Sequence, residues 1–174
     1  MDAYWQDAMA ATSVNAVCAL AGVSKPSLSR DLGREDGLTA AVLGRCAQTV
    51  LGPVEALLSS PASGVAELDD LIRLASEDQR MEVGCLFVKT RAMRSRFGAQ
   101  TPLNIAAIEA HILARDPQFF NDGAASGKWR GGVAAGLAAG DVLEQLALAV
   151  SQRAAGKSPE SVRELLALAL SVRR

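Results

Sequence analysis

The chain carries a single histidine, His111, and three cysteines, Cys18, Cys46 and Cys85, among its 174 residues. A thiol beside an imidazole can act as a nucleophilic dyad, and Cys85 with His111 is a candidate pair. Their spacing gives no reason for them to meet, and no oxyanion-binding loop accompanies them. No catalytic site is assigned, and the reading is of a protein that is not an enzyme. One histidine and scattered cysteines also lack the ligand spacing of a structural zinc site. There is no phosphate-binding G-x-x-x-x-G-K-[ST] loop, and the glycines from Gly131 to Gly140 lack the preceding strand that a dinucleotide fingerprint needs. No cofactor is expected. An odd number of cysteines without a C-x-x-C pair reads as reduced thiols in a cytoplasmic protein rather than a secreted disulfide framework. No basic neighbour is evident in the sequence that would activate Cys85 as a redox sensor.

The polar residues with the most suggestive spacing lie near the N-terminus. Lys25, Ser27, Ser29 and Arg30 follow a three-residue turn, Ala21-Gly22-Val23. Before the turn, Thr12 and Ser13 offer an N-cap, and Val14, Val17, Cys18 and Ala21 recur at helical spacing. After it, Ser24 caps a second short helix with Pro26 in its first turn, Leu28 and Leu32 on its single apolar edge, and Gly33 at its end. A glycine turn between two short helices predicts a helix-turn-helix, with the polar side of the second helix free to enter a DNA groove. Arg30 there can address a guanine edge or a phosphate.

The elements that must position this motif are also helical. The 32 alanines and 22 leucines make up 54 of the 174 residues, while aromatics reach only 4%. That balance predicts an all-α fold. Before the motif, Met1 to Ala10 reads as a short helix. After it, a helix is expected from Glu35-Asp36 toward Leu57, with Gly52-Pro53 kinking or interrupting it. Ser59-Ser60-Pro61 breaks the chain before an amphipathic helix over Val65 to Glu77. Further helices are expected over Val83 to Arg96, Pro102 to Arg115, Val142 to Ala154 and Pro159 to Val172. Asp116 to Gly132 stays ambiguous because of its glycines. The charge-free stretch from Ala8 to Ser24 has no cationic segment before it and is too short and polar to span a bilayer, so no membrane partner is expected.

The run from Thr12 to Leu28 resembles the helix-turn-helix of tetracycline-repressor-like (TetR-like) bacterial regulators. The likeness continues through Gly33-Arg34-Glu35-Asp36-Gly37-Leu38, and Gly84-Cys85-Leu86-Phe87-Val88 is similar to a segment common in their ligand-binding domains. Three positions depart from the usual pattern: Ser29 replaces an aromatic, Leu32 a phenylalanine and Glu35 a lysine. Residues 1–46 hold four basic and five acidic groups, a net charge of −1. Weaker and less salt-dependent DNA binding than in a basic member follows from that count.

The resemblance implies a DNA-binding domain over residues 1–46 and a helical effector-binding and dimerisation domain over 47–174. It assigns Thr12, Ser13, Ser24, Lys25, Pro26, Ser27, Ser29, Arg30 and Arg34 to double-stranded operator DNA. Cys85, Phe87, Met93 and Phe119 become candidates for a pocket binding a small, largely apolar effector, apart from the last two helices. Those helices, through Leu143, Leu146, Val150, Val162, Leu165, Leu166 and Ala169, are expected to form a homodimer interface. The implied function is a transcriptional regulator, as a repressor released by its effector. The alternative is a helical interaction module of the same fold with lost or weakened DNA binding.

Overall fold

The structure, a computed structural model, describes residues 18–19, 22, 24–32, 35–60, 64–129 and 132–171. Gly22 turns the backbone at φ +64°, a conformation costly for other residues. Ser24 then caps helix α1 (Lys25–Leu32): its Oγ accepts the Ser27 amide at 3.3 Å. Helix α2 (Glu35–Cys46) begins with two acidic residues and buries Leu38, Leu43 and Cys46.

The interruption expected at Gly52-Pro53 takes the form of a π-helical turn over Ala47–Leu51, followed by α3 (Gly52–Leu58). Pro53 has no amide to offer the Thr49 carbonyl, so the turn before it widens. Helix α4 (Val65–Glu77) buries the expected stripe of Leu68, Leu71, Ile72 and Ala75, and the Gly64 amide donates to Glu67 Oε2 at 2.9 Å.

Three expected helices take different bounds. In place of a helix over Val83 to Arg96, a 3₁₀ turn (Gln79–Val83) leads into α5 (Leu86–Ala92) and a second 3₁₀ turn (Arg94–Arg96). Gly84 separates the first two at φ +77°, with Lys89 Cε only 2.8 Å from where a Cβ would stand. The ambiguous stretch after Asp116 instead extends α6 (Gln100–Ala125) straight through Pro117. Asp116, Phe119, Phe120 and Gly123 prolong its buried face, and that packing outweighs the weak local propensity. Helix α7 (Ala135–Ala154) starts seven residues before Val142, because the small Ala138 and Ala139 are fully buried against the core. Helix α8 (Pro159–Ser171) closes the described chain.

The core has two clusters. One joins α4, α6, α7 and α8 around Leu71, Phe120, Val142 and Leu166. The other joins α2, the π turn, α5 and α6 around Leu43, Cys46, Phe87 and Ile105. Arg153 is buried where α7 ends, donating to the Lys157 carbonyl at 2.6 Å and to Glu82 at 3.0 Å.

Candidate functional site

Helix α1 presents Pro26 and Ser29 to solvent and half-buries Ser27 and Leu28, while Ser24 is exposed at its start. Lys25 lies one turn before Ser29 and Arg30 one turn after Pro26, so α1 carries both cationic positions next to exposed small residues. Thr12, Ser13 and Arg34 lie outside the described residues.

Where the two core clusters meet, an apolar cavity of about 70 Å³ opens partly to solvent. It has room for several waters or a small apolar group. Cys85 and Phe87 line it, as do Val50 and Leu51 of the π turn, Val54, Glu55 and Leu58 of α3, and Ile112 and Asp116 of α6. Two candidates fall elsewhere. Phe119 packs edge-on against Phe120, 5.2 Å between ring centres, within the first cluster, and Met93 caps the end of α5 away from the lining. Helix α7 instead supplies Val142, Leu143, Leu146 and Val150. The expectation that the last two helices stand apart from the pocket is therefore corrected for α7: its inner face points into the core, where the cavity is.

The sequence reading also missed Asp116. It is 5% exposed, and among the described residues no hydrogen bond reaches its carboxyl. Burial, and then the nearby charge of Glu55, push its pKa up to about 6, against opposing pulls from Arg115 and His111. The two arginines that line the cavity are already matched. Arg91 bridges Glu109 at 2.5 Å and also bonds Glu144, and Arg80 pairs with Asp78 at 2.5 Å. A carboxylate on the apolar stripe of Ile105, Ile112, Phe119 and Gly123 was the available signal.

His111 is exposed and lies 3.3 Å from Glu55, whereas Cys85 is buried against Cys46, so the two do not form a dyad. A hydrogen bond with Cys46, the first amides of α5 and the charge of Lys89 hold the Cys85 thiol below its ordinary pKa, despite burial. Lys89 is the basic neighbour that sequence spacing did not reveal.

The α1–α2 segment is tied to the cavity by two routes. The chain itself runs from α2 through the π turn into α3, and both of the latter line the cavity. The second route is a cap. The Asp36 carboxylate accepts the Gln100 amide at 2.8 Å and the Thr101 amide at 3.2 Å, at the start of α6. Thr101 Oγ1 donates to the Asp36 carbonyl at 3.1 Å, and Asn104 donates to the Ala40 carbonyl at 2.6 Å. From Thr101 to Asp116, α6 spans about 22 Å to the cavity.

Of the interface candidates, Leu146, Val150, Val162 and Leu166 are buried in the chain's own core, Ala169 is half-buried, and Leu143 lines the cavity. Leu165 is exposed, joined on the outer face of α7 and α8 by Leu148 and Leu168, which the sequence reading had not named. Amphipathic helices turn their regular stripe inward, so the outward leucines are the ones left over. Among the described residues no helix is long and apolar enough to cross a membrane, and no cluster of metal-binding side chains occurs.

No protein-family model matches the chain, and no curated protein matches it in sequence. A structural match covers nearly its whole length: a TetR transcription regulator from Haloarcula marismortui ATCC 43049, at a TM-score of 0.72 and 16% identity, over 99% of this chain and 92% of that one. The chain has a TetR-like, all-α fold.

Proposed function

We propose that the chain is a DNA-binding transcriptional regulator of the TetR type, acting as a repressor whose operator is released by a small, largely apolar effector. The observation that carries this reading is an apolar cavity joined, through the π turn and the Asp36 cap, to the α1–α2 segment of a TetR-like fold. Residues 1–46 would bind DNA and residues 47–174 would sense the effector and dimerise. An effector seated against Val50, Leu51 and Asp116 favours one position of α2 and α6 over another. Only a difference in its affinity for the two positions can shift the equilibrium away from DNA. A two-fold dimer would set its α1 helices about 34–36 Å apart, one turn of DNA.

The test is a titration of the purified chain against the upstream region of its own gene at low salt. Wild type binds, and Arg30→Ala costs about 1–3 kcal/mol per site, because few other cations in residues 1–46 can replace it. No wild-type binding, or equal affinity of wild type and variant, would overturn the reading in favour of an interaction module.

A further inference from the structure

We propose that the cavity selects an apolar ligand bearing one basic amine, with the Asp116 carboxylate as its counter-ion and Glu55 as a second acceptor beside it. The inference deepens the effector-sensing reading and rests on it. Three observations carry it. The cavity wall is almost wholly apolar, from Leu58, Phe87, Leu146 and Val150, so the body of the ligand is hydrocarbon. Asp116 lies in that wall, nearly fully buried, without a hydrogen bond among the described residues. A buried carboxylate left so is costly, and a partner that brings donors and positive charge removes the cost. Finally, Arg91 and Arg80, the cations of the lining, already have carboxylate partners, and Arg115 beside Asp116 is exposed outside the lining, so the charge left to be matched in the wall is negative.

An anionic ligand would meet two carboxylates, Asp116 and Glu55, in a low-dielectric wall. A neutral ligand of the same shape would fill the cavity but leave Asp116 unmatched. An ammonium group does both jobs. Its N–H groups donate to Asp116, while its hydrocarbon replaces water along the wall. Glu55, 3.3 Å from His111, adds negative charge to the same end of the cavity.

The test uses three six-carbon probes of matched length: n-hexylammonium, 1-hexanol and hexanoate, titrated calorimetrically into the whole chain near neutral pH without DNA. The expected order is hexylammonium first, then hexanol about tenfold weaker, then hexanoate weaker still. This order needs no variant. In Asp116→Asn, which is isosteric, most of the preference for hexylammonium over hexanol is lost, and with Glu55→Gln added the two bind alike, while hexanol binding persists and reports a folded cavity. Equal affinities for amine and alcohol in wild type, a preference for hexanoate, or an amine preference undiminished in Asp116→Asn would overturn the inference. Operator binding is measured separately. Amine selectivity without operator binding leaves this inference standing and defeats the regulator reading; operator binding without amine selectivity does the reverse.

Discussion

Asp116 is a carboxylate set in an almost wholly apolar wall. Its folded pKa of about 6 lies above the ordinary value of 3.8, so the folded chain holds its proton more tightly than the unfolded chain does. Stability from this group is full below pH 3.8 and is lost as pH rises through 6, where the folded state must bury a charge. The gap corresponds to roughly 3 kcal/mol at most, lessened by any water that reaches the carboxylate through the open side of the cavity. Asp116→Asn is therefore expected to stabilise the chain by about 1–3 kcal/mol at pH 7, with the gain vanishing by about pH 4. Urea denaturation of both proteins at the two pH values checks this, and an unchanged or less stable variant at pH 7 refutes it. Buried groups with shifted pKa values concentrate at functional sites, which accords with the ligand-binding role proposed for Asp116.

At the scale of elements, the joint between α2 and α6 is the most specified contact. Burial pushes the Asp36 carboxyl up, but the Thr101 hydroxyl and the amides of Gln100, Thr101 and Gly98 more than offset this and hold it below the ordinary carboxylate value. Gly98 permits the approach, since a Cβ there would stand 2.5 Å from Asp36 Oδ2. Asp36→Ala should cost about 1–2 kcal/mol of stability, as loss of a helix cap does. Because the carboxylate form is the stabilising one, that difference persists above pH 3.8 and shrinks below it. Thermal melts at neutral and acid pH measure both parts. If the cap also couples the cavity to DNA, Asp36→Ala binds effector normally but releases operator less completely; equal release in variant and wild type would separate the cap from the coupling.

For the whole molecule, the outer face of α7 and α8 bears on assembly. Leu148, Leu165 and Leu168 are 53%, 44% and 69% exposed, more hydrocarbon than two surface helices ordinarily leave in water. We expect a two-fold dimer through this face rather than through Leu146, Val150, Val162 and Leu166, which the chain itself already covers. Light scattering should give twice the 18.1 kDa chain mass, and Leu165→Glu with Leu168→Glu should give the monomer without unfolding it. A wild-type monomer at micromolar concentration would refute the dimer.

Local chemistry was enough for much of this fold. Alanine and leucine content sets an all-α chain, Ser24 and Gly22 mark where α1 begins and the turn before it, and the Leu68, Leu71, Ile72 and Ala75 stripe sets the buried side of α4. These are short-range effects, in which a cap, a turn or a period acts within a few residues of its cause. Packing decided the rest. Pro117 and Gly123 argue locally for a break, yet α6 continues because Phe119 and Phe120 gain more from the core than the helix loses at the proline. Which apolar residues line the cavity, which face outward, and that Asp116 stands unmatched among them depend on how α3, α6 and α7 meet. Phe87 and Phe119 look alike in sequence, but one borders the empty space and the other fills the core. A residue's type says that it will be buried, whereas what it is buried against is settled only when distant helices come together.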